Sequence, residues 1–303
     1  MHLPRRPVRM GAAMSLVDYA ATLLVVVIWA FNFVAGKIGL TEFSPLLMLG
    51  LRFVVAGVLL APFLRLPLRR WRMIVLIATV LGGLHFGLVF TGLQGVQAGP
   101  AAIAIQLTVP FSALLAWIVY GERMGRLQLT GMLVAFVGVY ILAGDASQRP
   151  DPVYFLIVVL GAFAWAVANI LIKRLGPISP FVLNAWVAVI GAPILFAASA
   201  VVEDGQLQAI ANAGWRGWGT VVYMAVGASI TAYGLWYYLL GKHQLNRVVP
   251  LTLLSPMLAV VLAVLILGEP ITLRGVAGGL ITIVGGDDPV PEASAAGADL
   301  TPT

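Results

Sequence analysis

The sequence contains no cysteine, three histidines and few charged residues. Disulfides and thiolate metal sites are therefore excluded, and His2, His85 and His243 are too scattered along the chain to predict a metal site. Charged residues make up 10% of the 303 residues, whereas soluble domains carry roughly 25%. Because a soluble domain of this length could not cover its surface with so few charges, the composition predicts an integral membrane protein.

The sequence also lacks the common motifs of enzyme active sites. It has no HExxH pair of metal ligands, no GxSxG nucleophile turn and no Walker A lysine. We therefore predict that the chain is not an enzyme and that it has no cofactor or metal. No acidic residue lies in the middle of an apolar run, where a carboxylate would be the natural ligand of a lipophilic cation. This absence disfavours a dedicated cation antiporter.

Apolar residues form long runs along the whole chain. They account for 61% of the sequence, and the mean hydropathy is +1.00. A helix needs about 20 mostly apolar residues to cross a membrane, and ten segments meet this rule. The predicted spans are 17–37, 44–64, 72–93, 97–119, 126–143, 152–173, 180–200, 217–240, 246–267 and 271–286. Residues 1–16 are predicted to be a cytoplasmic segment, and residues 287–303 a disordered cytoplasmic tail.

The basic residues lie mostly in short segments between these spans, and this predicts the orientation. With the N-terminus in the cytoplasm, 13 of the 18 lysines and arginines fall on the cytoplasmic side and 4 on the outer side. The remaining one, Arg52, lies inside the second span. This asymmetry predicts that both termini are cytoplasmic. It also accounts for the net charge of +6 without a nucleic-acid partner.

The chain contains the same pattern twice. Residues 71–138 align with residues 218–285 without a gap, from one tryptophan to another and through matching glycines. Each half, 17–146 and 147–286, holds five spans, and an odd number means that the second half enters the membrane from the opposite side. The predicted fold is an all-α integral membrane protein with ten transmembrane helices arranged as two inverted five-helix repeats. Such repeats are typical of secondary transporters, whose binding site lies between them.

Polar side chains inside spans are costly unless they face protein or water, so they are candidates for that site. His85 lies near the middle of the third span, where it can bind a substrate carboxylate or accept a coupling proton. The alternative for His85 is a hydrogen bond to a neighbouring helix. Arg52 can attract an anion, but the interpretation favoured from sequence is structural. In that interpretation, its guanidinium bonds backbone carbonyls or extends to the membrane interface.

Two matched pairs of aromatic and amide residues lie in the first and sixth spans. Trp29 and Asn32 share one helical face, and so do Trp165 and Asn169. These pairs can line a central cavity from both sides. Alternatively, they pack helices together and form an interhelical hydrogen bond worth about 0.6–2 kcal/mol.

Further candidates lie in the fourth, eighth and ninth spans. Tyr233 and Tyr237 are one helical turn apart, and they can stack on an aromatic substrate or pack against other helices. The remaining polar candidates for substrate binding are Gln106, Thr252 and Ser255. Prolines in the fourth and ninth spans can bend helices in a gating cycle or hold static kinks. These prolines are Pro100, Pro110, Pro250 and Pro256.

The repeated residues also resemble a known family. The motifs that carry the resemblance are Trp29–Phe33, Leu51–Phe53, Gly121–Arg123 and its second copy Gly268–Pro270. In them the chain resembles the EamA family of the drug/metabolite transporter superfamily, and within it the bacterial exporters of aromatic amino acids. The resemblance implies a carrier of the bacterial inner membrane that works by alternating access. It also implies a central cavity between the first four helices of each half, with spans five and ten packed outside.

Together these features predict a secondary transporter that exports small metabolites. The predicted substrate is neutral or zwitterionic, with amino acids including aromatic ones favoured because Trp and Tyr line the predicted cavity. The predicted partners are this substrate and membrane lipids, and the protein is predicted to be a monomer or a weak dimer. Two alternatives stay open: a multidrug or other metabolite exporter of the same fold, and an intramembrane enzyme or lipid-handling scaffold.

Overall fold

The structure, a computed structural model, describes residues 14–65, 70–121, 125–144, 150–176, 178–243, 251–252 and 254–286. Within those ranges all secondary structure is helical. The helices, in chain order, are α1 (Leu16–Gly39), α2 (Pro45–Phe63), α3 (Trp71–Gly92), α4 (Ala98–Tyr120), α5 (Arg126–Ala143), α6 (Pro152–Leu175), α7 (Pro180–Val202), α8 (Gln206–Asn212), α9 (215–242), α10 (Leu254–Leu267) and α11 (Leu273–Gly286). Predictions that concern residues 1–13, Pro250, the side chain of Tyr237 and residues 287–303 fall outside the described residues.

The described helices have the length and composition of a membrane protein. Six of them, α1 to α4 with α6 and α7, are long and apolar enough to cross a membrane. Shorter apolar helices lie within α5, α10 and α11, and residues 215–242 are helical throughout. The all-helical membrane architecture is therefore confirmed for this part of the chain. The count of ten crossings and the inversion of the repeats stay predictions.

Helix α8 lies between the seventh and eighth predicted spans, where the sequence predicted no helix. It has seven residues, and none of them is buried. A short exposed helix lacks the long apolar run on which the span prediction depends, so that prediction could not detect it.

Local sequence signals set where the long helices begin and end. At the start of α1, Ser15 and Asp18 form a capping box, in which each side chain accepts from the other residue's backbone N–H. At the start of α6, Asp151 caps the helix and Pro152 occupies its first position. That helix ends at Gly176, whose φ of 73° favours glycine.

Asp18 also joins the start of α1 to the end of α9. The Lys242 ammonium donates to both oxygens of this carboxylate, at 2.8 and 3.0 Å. His243 Nε2 lies 3.1 Å from the same group. The hydrogen bond to Asp18 raises the pKa of Lys242, which lies beyond the predicted eighth span. The ammonium is therefore retained throughout the physiological range of pH.

Carboxylates at the opposite end of the bundle bind the N-termini of other helices. Glu203, just after α7, accepts from the backbone N–H groups of Leu46 at 2.8 Å and Leu47 at 3.1 Å in the first turn of α2. Glu269, just after α10, accepts from the first two N–H groups of α4 at 2.6 and 3.1 Å. Negative charge is favourable there because helix N-termini carry unpaired N–H groups and the positive end of the helix dipole. Each contact joins the first predicted half to the second.

The helices pack in pairs that also cross between the predicted halves. Extensive contacts include those of α1 with α9 and α10, α2 with α7, α3 with α6 and α7, and α5 with α11. Helix α4 packs against both α6 and α10. The interior that could hold a substrate is consequently lined by side chains from both predicted halves.

Glycines bring α5 and α11 into direct backbone contact. A Cβ atom added to Gly138 would lie 2.5 Å from the backbone nitrogen of Thr282 and 2.7 Å from the carbonyl oxygen of Gly278. A Cβ atom on Gly285 would similarly meet the backbone of Gly131 and Ala135. Small residues at such a contact let helix backbones approach closely inside a membrane. The structure thus places the helices of the fifth and tenth predicted spans against each other, a contact that the sequence did not predict.

Two helices contain π-helical segments at corresponding places. In α3 the segment is Ala78–His85, and in α9 it is Tyr223–Ala232. In the gap-free alignment of the two halves, the last residues of these segments, His85 and Ala232, fall on each other. Wide turns of this kind frequently occur at functional sites. They direct attention to the side chains around His85 and the middle of α9.

Candidate functional site

Trp29 in α1 lies in an aromatic cluster with residues of α9. Its ring centre is 5.7 Å from that of Tyr233, edge-on, and 5.5 Å from that of Trp236. Both distances are in the range of favourable aromatic pairs. The structure therefore brings together two of the predicted site residues, Trp29 and Tyr233, and adds Trp236, which the sequence did not single out.

His85 and Trp165 form a second contact, between α3 and α6. Their ring centres are 5.0 Å apart, and the His85 ring is 4.7 Å from that of Phe86. His85 is 4% exposed, and its Nδ1 lies 2.9 Å from the carbonyl oxygen of Gly161 in α6. Because a carbonyl only accepts, Nδ1 carries the proton and donates to it. The hydrogen bond to a neighbouring helix is thus present, and the functional role of His85 stays a prediction.

Arg52 in α2 lies between these two aromatic groups. Its side chain borders the same small cavity, of about 20 Å³, as Tyr233 from the first group and Phe86 from the second. The guanidinium carbon is 4.7 Å from the ring centre of Phe86 and 5.6 Å from that of Phe53. The sequence-based site does not include this arginine. The signal available was its position, since the other lysines and arginines within the predicted spans lie close to span ends.

The hydrogen bonds of Arg52 are made to a side chain of the other predicted half. Nε and Nη2 donate to the hydroxyl oxygen of Ser229 in α9, at 3.1 and 3.0 Å. Arg52 is 2% exposed, so it does not extend to the interface. Its described hydrogen bonds reach a hydroxyl group and no backbone carbonyl. The structure therefore corrects both forms of the structural interpretation drawn from sequence.

One end of the Arg52 guanidinium is left without a partner. Its Nη1 atom is buried and makes no hydrogen bond within the described part of the chain. Leaving a buried donor unpaired costs about 1–3 kcal/mol, and more for a charged group. Cation–π contacts contribute about 2 kcal/mol of stabilisation at a desolvated site. Removing the ion from water costs several kcal/mol, so these contacts do not offset the cost of burial. The site thus holds a buried cation with unused capacity to bind an anion.

The amide residues of the predicted site occupy different positions. Asn32 is half-buried, and its buried Oδ1 has no hydrogen-bond partner among the described residues. Asn169 is exposed, and its Nδ2 donates to the hydroxyl of Ser112 in α4 at 3.3 Å. Gln106 is half-buried in the 3₁₀ segment Ile105–Leu107, which packs against α6. The Asn169 contact is the interhelical hydrogen bond that the sequence left open as an alternative.

The other predicted residues lie in α4 and near the start of α10. Thr252 and Ser255 are half-buried there. Pro100 is the third residue of α4, where a missing N–H leaves no hydrogen bond unmade. Pro110 lies deeper in α4, four residues after Gln106, whose carbonyl therefore lacks its usual donor next to the 3₁₀ segment. Pro256 is buried in α10, and the gating role of all these prolines stays untested.

Comparison with known proteins assigns the chain to a family. The model of the EamA-like transporter family matches residues 18–144 and again residues 153–286. The chain is 32% identical over 284 residues to the "Probable amino-acid metabolite efflux pump" of Salmonella typhimurium, covering 90% of this chain and 94% of that protein. It is 31% identical to the Escherichia coli protein of the same name, covering 86% and 90%.

Two further likenesses are more distant. The "Uncharacterized inner membrane transporter YedA" of Escherichia coli is 24% identical, and the match covers 84% of each chain. A solved crystal structure matches with a TM-score of 0.62 and 20% identity, covering 90% of this chain and 96% of that one. At that identity the likeness shows the fold alone. With two family matches that together span most of its length, the chain belongs to the EamA-like transporter family.

Proposed function

We propose that this transporter exports amino acids, including aromatic ones, by alternating access around a central site between two inverted repeats. The repeats would be residues 17–146 and 147–286, and the membrane would be the bacterial inner membrane. The names of the relatives as amino-acid metabolite efflux pumps support the substrate class. Among the described residues, no carboxylate lines the cavity beside Arg52, and this argues against a site built for cations.

One observation carries this proposal: aromatic rings from both predicted halves surround one buried cation. Tyr233 and Phe86 border the same cavity as Arg52, and their rings contact those of Trp29 and His85 respectively. An amino acid has a negative carboxylate and, in the aromatic ones, a flat apolar side chain. Rings stack on such a side chain, and a cation binds the carboxylate. The arrangement therefore suits an aromatic amino acid better than a uniformly apolar drug.

Counterflow in proteoliposomes tests the substrate. Vesicles loaded with unlabelled phenylalanine should take up labelled phenylalanine, and other amino acids should compete. We expect His85→Ala and Trp165→Ala to lower the rate about tenfold, corresponding to roughly 1.4 kcal/mol of lost interaction. Trp215→Ala is the matched control, because its side chain is 81% exposed at the start of α9. Absence of uptake by folded wild-type protein in sealed vesicles would exclude phenylalanine as a substrate.

The absence of native cysteine makes the proposed orientation directly testable. Thr41, between α1 and α2, and Ser179, just before α7, are both exposed and lie on opposite sides in the proposed topology. We expect a membrane-impermeant maleimide to label Thr41→Cys in intact cells and Ser179→Cys only after permeabilisation. The reverse pattern would show that the N-terminus is on the outer side.

A further inference from the structure

Arg52 is the charged group whose burial the fold itself does not explain. We propose that Arg52 binds the carboxylate of the transported molecule, so that the substrate class of this site is carboxylic acids with an apolar, preferably aromatic, side chain. This inference rests on the proposed function, since it names the group through which an amino acid would be held. It gives Arg52 a binding role in place of the packing role suggested by its position in the sequence.

One end of the Arg52 guanidinium has N–H groups that can bind a carboxylate. Its Nε and Nη2 atoms share the Ser229 hydroxyl as acceptor, at 3.1 and 3.0 Å. The end that carries Nη1 is buried and has no hydrogen-bond partner in the described ranges. A guanidinium presents its N–H groups as a planar fork that matches the two oxygens of a carboxylate. A carboxylate at the Nη1 end would pair the charge and complete the hydrogen bonds.

No protein carboxylate takes that place within the described residues. The described ion pairs involve Asp18, and Glu203 and Glu269 are engaged at helix N-termini at one end of the bundle. Apart from apolar side chains, the cavity beside Arg52 is lined by the amide of Asn184 and the hydroxyls of Ser229 and Tyr233, with no carboxylate among its described residues. An anion from outside the chain is therefore the natural partner of this cation.

The size of the space indicates which part of a substrate would lie there. The cavity beside Arg52 measures about 20 Å³, which is room for a water molecule or a small polar group and not for a whole amino acid. Tyr233 and Phe86 border this cavity. The Tyr233 ring contacts that of Trp29, and the Phe86 ring contacts that of His85. The carboxylate would occupy the cavity, and the apolar side chain would lie along these rings.

The same arginine connects the two predicted halves. Its hydrogen bonds run from α2 to Ser229, which lies in the π-helical segment of α9 and donates its own hydroxyl to the carbonyl of Met224 at 3.1 Å. A carboxylate at the Nη1 end would bridge Nη1 and the second N–H of Nη2, while Ser229 keeps Nε and the first N–H of Nη2. The bound substrate would therefore lie directly beside the contact that joins the two predicted halves.

The experiment uses three ligands that differ at one group: phenylalanine, 3-phenylpropionate, which lacks the amine, and phenylalaninamide, which lacks the carboxylate. Competition in the counterflow assay and the ligand-induced rise in melting temperature are measured for each. In wild type we expect the two acids to compete, and the amide to be weaker by about 30-fold or more, as for a charge pair that loses one partner. We expect both acids to raise the melting temperature and the amide not to.

Three variants separate binding from packing. Arg52→Lys keeps the charge, so it should retain the preference for acids with a lower affinity, whereas Arg52→Met should lose the preference. Ser229→Ala leaves the guanidinium in place and should keep the preference. If Arg52→Met does not fold, the wild-type ligand comparison and the lysine variant still decide.

The outcomes distinguish this inference from the proposed function. Uptake of phenylalanine with equal competition by the amide would overturn the role of Arg52 and leave the amino acid exporter standing. No uptake, with Arg52-dependent stabilisation by 3-phenylpropionate, would keep the carboxylate site and overturn the amino acid assignment. Neither uptake nor stabilisation by any of the three ligands would overturn both.

Discussion

Gly138→Val should lower the free energy of unfolding by about 3 kcal/mol, in the upper part of the range for overpacked contacts. The reason is that the added atoms meet backbone atoms as well as the Thr282 hydroxyl, and the backbone cannot turn aside as a side chain can. A Cβ atom at Gly138 would lie 2.5 Å from the Thr282 nitrogen and 2.7 Å from the Gly278 oxygen. Helices α5 and α11 would have to separate to admit it. Unfolding of purified protein in mixed detergent micelles measures the change.

Gly219→Val is the matched control for this substitution. Gly219 is also a helical glycine, in α9, but a Cβ atom there meets nothing within 4 Å. Both variants gain the same helix propensity, because valine forms helices better than glycine, so their difference isolates the contact between α5 and α11. Equal destabilisation of the two variants would show that the helices are not held at the close distance described.

Glu203→Ala should destabilise the protein by about 3 kcal/mol, since each hydrogen bond to a charged group contributes about 1.5–3 kcal/mol and neighbouring bonds are not additive. The carboxylate accepts from the hydroxyls of Ser44 at 2.7 Å and Ser199 at 2.6 Å, as well as from two N–H groups at the start of α2. Its removal leaves these donors unpaired and separates α7 from α2. The loss should appear in the same unfolding assay.

Asp204→Ala provides the control for the loss of charge. Asp204 is the adjacent acidic residue and is exposed, so its removal should change the free energy of unfolding by less than about 0.5 kcal/mol. Glu203→Gln keeps one acceptor oxygen and should fall between the two. A result in which Glu203→Ala resembles Asp204→Ala would mean that water replaces the carboxylate at the α2 terminus without cost.

The positions of the long helices could be predicted closely from sequence, because a membrane demands a continuous apolar run of fixed length. The first span was predicted at 17–37 and the helix is Leu16–Gly39, while the sixth was predicted at 152–173 and the helix is Pro152–Leu175. Ser15 caps the first helix so that it begins one residue before the predicted start, and Gly176 follows the end of the sixth helix, two residues beyond the predicted end. Ser15 and Asp151 accept N–H groups that hydropathy alone does not consider.

The contacts of the candidate site could be predicted only in part. Sequence reasoning placed Trp29, Tyr233, His85 and Trp165 in one site, and the structure brings them together as two pairs. Sequence reasoning could not predict the hydrogen bond between Arg52 and Ser229, because the two residues are 177 positions apart. A serine in an apolar helix also has no distinctive sequence pattern. The hydrogen-bond partner of His85 is a backbone carbonyl, and every residue type has one, so the sequence could not indicate it.

The π-helical segments of α3 and α9 give the site a way to change shape without a hinge. Each segment holds an extra residue within its helix, and His85 and Ser229 lie in these two segments. If the extra residue moves one position along the chain, the side chains it passes turn by about 100°, while the hydrogen-bonded ends stay where they are. Such a displacement moves the wide turn along the helix, one residue at a time. A carrier built this way can exchange the groups that face its cargo by a local twist, and its helices need not tilt as rigid rods.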